Sequence, residues 1–112
     1  MNKLERFLSR VHTKEDLIKF FTKIPEKHWT IGEFKSKCKF IEGEPYAYCA
    51  LGHMGIDKGT YLRIDEVLAR VKQVLGLKRI TKEQIIDVND GYSKKFRQAS
   101  PKKRILAYLE SK

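Results

Sequence analysis

Apolar positions recur along the chain with two different periods. Leu4, Phe7, Leu8 and Val11 fall at helical spacing, as do Leu17, Ile18, Phe20, Phe21 and Ile24. Between the two runs Thr13 suits an N-cap, with Glu15 and Asp16 in the positive first turn, and Pro25 ends the second run. Residues 1–25 therefore read as a helical hairpin. The period then changes to 2. Phe34, Ser36, Cys38 and Phe40 alternate with Lys35, Lys37 and Lys39, the mark of a half-buried strand, and Glu42-Gly43-Glu44-Pro45 is a turn. A short extended arm or hairpin is expected over about residues 30–44. Helical spacing returns at Ile64, Val67, Leu68, Val71 and Leu75, closed by Gly76 at C′. Thr81 and Gln84 form a capping box for a short helix that Asn89-Asp90-Gly91 is expected to end as a turn. Ser100-Pro101 opens a last helix that turns Ile105, Leu106 and Leu109 inward.

The stretch from Pro45 to Ile56, Pro-Tyr-Ala-Tyr-Cys-Ala-Leu-Gly-His-Met-Gly-Ile, carries no formal charge although its neighbours are highly charged. It reads as a buried helix starting near Tyr46. Glycine in a helix costs roughly 1 kcal/mol against alanine, so Gly52 and Gly55 point to close backbone approach. The fold class expected is mainly α: one small domain over 1–112, with five to six helices and one extended insertion.

Composition adds a charge imbalance. The 112 residues contain 24 Lys and Arg against 14 Asp and Glu, a net charge of +10, and 41% hydrophobic residues are enough for a core. No apolar run approaches the ~20 residues of a membrane span, and the first residues lack a signal peptide's apolar region. Two cysteines make no disulfide framework. These features predict a soluble, cytoplasmic protein without a membrane partner. The charge is uneven: residues 1–41 hold 10 bases and 5 acids, 42–71 hold 3 and 5, and 72–112 hold 11 and 4. Lys94, Lys95, Arg97, Lys102, Lys103 and Arg104 form an acid-free cluster beside Tyr92, Phe96 and Tyr108, and Lys35, Lys37 and Lys39 form a second. Cations interleaved with aromatics suit a phosphate-bearing partner, through charge neutralisation and base stacking. An acidic protein surface would be attracted by the same charge, and lysine-rich faces also serve solubility alone. No zinc-finger spacing, aromatic RNA-binding motif or polar recognition helix accompanies the clusters.

The middle of the chain carries the candidate chemistry. A helix starting near Tyr46 would place Cys49 in its first turn, where the macrodipole lowers a thiol pKa, with His53 at i+4. His28, Asn89 and Asp90 could complete a thiol site as base and orienting group. Against this, free cysteine is among the most buried residue types, and the surrounding segment is core-like. Cys38, Cys49 and His53, with His28 or His12, have spacings of no standard zinc site, so no metal or other cofactor is assigned. A reducing cytosol argues against a Cys38–Cys49 disulfide. Gly52 and Gly55 lack the Lys-Ser/Thr of a phosphate loop, and the single Trp29 is a stacking candidate that a core position would equally explain.

On Trp29 with Gly32, Cys49-Ala50-Leu51-Gly52 and Val88-Asn89-Asp90, the chain resembles a family of small uncharacterised proteins of bacteria and phages. Their pattern is a Trp followed by a Gly, then Cys-Ala-x-Gly opening a helix, then Asn-Asp after an aromatic or aliphatic residue. The likeness covers residues 29–112. It departs at His53, where the family often has Ala, and at Val88, where it often has Trp. The resemblance implies an architecture in which Cys49 meets Asn89-Asp90, whose side chains either cap the helix carrying Cys49 or form one wall of a small polar pocket. By analogy it also implies a phage or mobile-element accessory protein that binds nucleic acid or a host protein. The function expected is thus a non-enzymatic binding protein engaging nucleic acid, a nucleotide-type ligand or an acidic host protein. The alternative is a thiol-dependent enzyme with Cys49 as nucleophile. A third reading uses the neutral Tyr46–Ile56 surface as an oligomer contact.

Overall fold

The computed structural model describes residues 1–32, 35–37 and 46–112, with 35–37, 46 and 47 described as backbone. Six α-helices make it mainly helical: α1 (Lys3–Arg10), α2 (Lys14–Thr22), α3 (Ala50–His53), α4 (Ile64–Leu75), α5 (Lys82–Asp90) and α6 (Pro101–Glu110). Two strands, β1 (Lys35–Lys37) and β2 (Tyr46–Tyr48), pair antiparallel with Lys35 opposite Tyr48 and Lys37 opposite Tyr46.

The helix starts follow the local chemistry. Thr13 caps α2, its side chain accepting from the Asp16 N–H while Asp16 returns a carboxylate to the Thr13 N–H. Thr81 and Gln84 do the same for α5, and Ser100 caps α6 ahead of Pro101. Gly76 and Gly91 close α4 and α5 in the left-handed region, at φ +65° and +85°.

One core joins all six helices, with Leu4, Phe7, Leu17, Leu51 and Val67 fully buried at its centre. Helix α2 packs against α6 and α4, and α1 packs against α4. The first two helices are therefore not the side-by-side hairpin expected. They meet through Phe7 and Phe20, whose rings stand edge to face at 5.2 Å. Apolar stripes broad enough to face several neighbours let each helix find a partner distant in sequence. Arg70 of α4 fastens the end of α1, donating from Nη1 to the carbonyls of Leu8 and Val11.

The largest departure lies in the neutral segment. Tyr46–Tyr48 is the return strand of the hairpin, and β2 is also bridged to Trp29, with the Thr30 N–H donating to the Tyr48 carbonyl at 3.0 Å. The helix expected from Tyr46 therefore begins only at Ala50, with Cys49 as its N-cap, and lasts four residues. Pairing satisfies the Tyr48 carbonyl outside any helix, and Gly55 then turns the chain at φ +103°. A Cβ at Gly55 would lie 2.3 Å from the Leu4 nitrogen, so the close approach inferred from its glycine is real and is made to α1. At the other end of the core, α5 runs through Asn89 and Asp90 rather than breaking into a turn there. Gly91 is the stop signal, and Asn89 stays helical because its side chain is held elsewhere.

Candidate functional site

Asn89 is the joint between the two motifs of the middle and C-terminal regions. It is 1% exposed, and its Oδ1 accepts from the Ala50 N–H at 3.0 Å, satisfying a donor at the start of α3. Its Nδ2 donates to the Thr30 carbonyl at 3.0 Å and to Asp90 Oδ1 at 2.8 Å. Asn89 thus ties α5, α3 and the segment following Trp29 together, which is a structural arrangement. Cys49 sits beside it, 6% exposed. Burial pushes the Cys49 thiol up, outweighing the Gly52 and Leu51 backbone groups that favour the thiolate. The lowered pKa expected of a first-turn cysteine is therefore reversed, since an N-cap in the core loses more to desolvation than two N–H groups return.

His53 is 3% exposed, packed between the rings of Trp29 (4.7 Å between centroids) and Tyr48 (5.3 Å). Its Nε2 is buried with no hydrogen-bond partner among the described residues. Burial lowers its pKa from 6.5 to about 3, helped by the charge of Lys3, while a hydrogen bond with the His28 backbone works the other way. The ring is neutral at any ordinary pH. Trp29 is a core residue, 8% exposed, whose Nε1 donates to the Ile24 carbonyl at 3.3 Å.

His53 lies on the floor of a cleft of about 560 Å³ between α1, the end of α2 and the turn after α3. Lys3, Arg6 and Arg10 of α1 and Lys23 after α2 line it, together with apolar Phe20, Ile24, Pro25 and Tyr48. Lys3 also lies over the Tyr48 ring, 3.3 Å from its centre. Among the described residues the one carboxylate in the lining, Asp57, is held in its own turn by the N–H groups of Gly59 and Thr60. Sequence reasoning passed over these cations. Their signal was the i, i+3, i+7 spacing of Lys3, Arg6 and Arg10, which sets them along one side of a helix.

The six residues of the C-terminal basic cluster separate into two kinds. Lys94, Lys95 and Arg97 are exposed in the non-helical segment after α5, and Lys103 is exposed on α6. With Tyr92, 78% exposed, Lys94 and Arg97 line a hollow of about 300 Å³. Arg104 is instead buried. It donates from Nε to the Val88 carbonyl (3.0 Å), from Nη2 to Asn89 (2.7 Å) and from Nη1 to Gln98 (2.9 Å). Lys102 donates to the Thr22 carbonyl at 2.9 Å, at the end of α2. Both had been expected in a binding surface. The negative ends of α5 and α2 attract them, because unpaired C-terminal carbonyls need donors. Of the second cluster, Lys35 and Lys37 are register positions of β1, and Lys39, like Cys38, lies outside the described residues. His12 is exposed near the end of α1, bonded to the Ser9 carbonyl, and no group of three metal-ligating side chains occurs among the described residues.

Compared with known proteins, the chain matches no family model, no curated protein and no solved structure. No helix among the described residues is long and apolar enough to cross a membrane.

Proposed function

We propose that the protein is a non-enzymatic binding protein for a phosphate-bearing polymer, a nucleic acid strand, engaged through the segment after α5. The observation that carries this reading is the exposure of Lys94, Lys95 and Arg97 beside exposed Tyr92, with no carboxylate between Gly91 and Leu109. Lys94, Lys95, Arg97 and Lys103 form no ion pair among the described residues, so their charge is offered to solvent. A strand would neutralise phosphates on these cations and stack a base on Tyr92. The likeness to small phage and bacterial proteins fits an accessory role of this kind in the cytoplasm. The Asn89–Ala50 contact supports that likeness, because its pattern implies the two meet.

The test is fluorescence anisotropy with labelled single-stranded DNA and RNA across a salt series. Four neutralised phosphates give a slope of log K against log salt of about −3. Charge reversal at Lys94 and Lys95 should flatten that slope by about half with the fold unchanged. Absence of binding to any polynucleotide, or a salt-independent affinity, overturns the reading and leaves an acidic protein as the partner the charge predicts. The buried, neutral thiol of Cys49 gives the enzymatic alternative no support.

A further inference from the structure

We propose that the cleft floored by His53 is a second binding site, separate from the segment after α5, and that it takes a nucleoside monophosphate, either free or as the 5′-phosphorylated end of a strand.

Four features of the cleft select that chemistry. Its volume of about 560 Å³ falls in the range of small-molecule sites. Lys3, Arg6, Arg10 and Lys23 converge on it from two elements, and its single acid among the described residues, Asp57, is engaged in a turn by two backbone donors and the Thr60 hydroxyl. Arg6, Arg10 and Lys23 make no side-chain hydrogen bond or ion pair among the described residues. So much uncompensated charge matches a dianionic phosphomonoester better than a carboxylate, and arginines at i and i+4 on one helix can hold phosphate oxygens with paired N–H groups. Phe20 and Pro25 supply an apolar wall on which a flat ring can lie.

His53 supplies the remaining observation. A polar atom 97% buried with its residue and lacking a partner is rare in folded proteins, and an absent ligand is one of its ordinary explanations. Trp29 and Tyr48 fix the ring on both sides, so Nε2 is held in place before any ligand arrives. The ring's other nitrogen is the one that bonds the His28 backbone, so in the neutral imidazole Nε2 is an acceptor and meets an amino or hydroxyl hydrogen of the base or ribose. The cations therefore hold the phosphate, while Nε2 recognises the nucleoside and separates it from bare phosphate.

Trp29, the only tryptophan, reports on the site because its ring lies against His53. The full chain is titrated with AMP, GMP, CMP and UMP, with inorganic phosphate and adenosine as controls, following Trp29 fluorescence and confirming by calorimetry. At least one monophosphate should bind saturably, about tenfold or more tighter than either control. Replacing Arg6 and Arg10, both exposed, by Ala should weaken it by about tenfold or more, while Lys94→Glu with Lys95→Glu leaves it unchanged. The second variant distinguishes this site from the polymer surface: loss of strand binding alone counts against the earlier reading only. Comparing a 5′-phosphorylated oligonucleotide with its 5′-hydroxyl form identifies the source. A preference for the phosphorylated strand over the free nucleotide assigns a strand end, and the reverse assigns a free nucleotide. Inorganic phosphate binding as tightly as every nucleotide, no saturable response, or full binding by the Arg6→Ala/Arg10→Ala variant overturns the proposal.

Discussion

Replacing Arg104 by Met separates a structural cation from a binding one within a single run of charge. The substitution keeps an unbranched stem of similar reach and removes all three donors to the carbonyls of Val88, Asn89 and Gln98. Hydrogen bonds from a charged group contribute about 1.5–3 kcal/mol each, but these three share one guanidinium and are not additive. Removing the guanidinium also relieves its own desolvation, which offsets part of the loss. A net destabilisation of about 3 kcal/mol follows. With an unfolding entropy of about 2.1 cal/mol/K per residue, the 112-residue chain has roughly 0.24 kcal/mol/K, so the melting temperature should fall by about 13 °C. Thermal melts by circular dichroism measure this directly. Lys103→Met, one residue away and exposed, should shift the midpoint by about 2 °C or less. Arg104→Lys, which keeps the charge but loses the fork of donors, should fall between the two. Equal midpoints for Arg104→Met and Lys103→Met would refute the reasoning, because both residues would then be solvated surface charges.

Other consequences are as specific. Gly55→Ala adds a Cβ that meets the Leu4 backbone at a φ of +103°, and should destabilise by about 3 kcal/mol or more in urea titrations. Asn89→Ala strands the Ala50 N–H and the Thr30 carbonyl and should cost about 2 kcal/mol in the same assay. His53 has a folded pKa of about 3 against 6.5 when unfolded, so unfolding takes up a proton below pH 6.5. Its contribution is complete above pH 6.5 and is lost by about 1.4 kcal/mol per unit as the pH falls toward 3. Between pH 7.5 and 5, wild type should therefore lose about 2 kcal/mol more than His53→Phe, and equal losses would contradict the buried neutral imidazole. In a Cys38→Ala background, Cys49 should react with iodoacetamide only as fast as the protein opens, slowing further under stabilising conditions; rapid native-state labelling would restore the thiol as a candidate nucleophile.

Much of the fold was legible because helix boundaries are written in local chemistry. Thr13, Thr81, Ser100, Gly76 and Gly91 act within three or four residues of where they stand, and each does what its residue type suggests. What stayed hidden depends on partners far along the chain. Tyr46–Tyr48 is a strand only because β1 and Trp29 pair with it, and nothing in Tyr-Ala-Tyr announces those partners. The same holds for α1 and α2: their short connection suggests a hairpin, whereas α2 packs chiefly against α6 and α4. The link between Cys49-Ala50 and Asn89 was visible only as a resemblance, and its physical basis is the Ala50 N–H that α3 leaves unpaired.

Cations posed a harder problem, because a lysine or arginine looks alike in sequence whether it faces solvent, a carbonyl or a cleft. What surrounds the side chain in the fold distinguishes the cases. Arg104 lies on the same helical face as the buried Ile105, Tyr108 and Leu109, and Arg70 lies beside Val67 and Val71, so Arg104 is buried, Arg70 is half-buried, and each finds acceptors against the core. Both find them at the carboxyl end of another helix, where the dipole and unpaired carbonyls favour a positive charge. Lys3, Arg6 and Arg10 share one relation with them, each directly preceding a buried residue (Leu4, Phe7 and Val11), as Arg70 precedes Val71 and Arg104 precedes Ile105. A step of one residue is a rotation of about 100° on a helix, which sets these side chains at the edge of the apolar stripe rather than within it or opposite to it. An edge position borders whatever the helix packs against, and where packing is incomplete the border becomes a cleft. Close packing at that edge hands the cation a carbonyl, as at Arg70 and Arg104, whereas the cleft leaves Arg6 and Arg10 exposed at the seam.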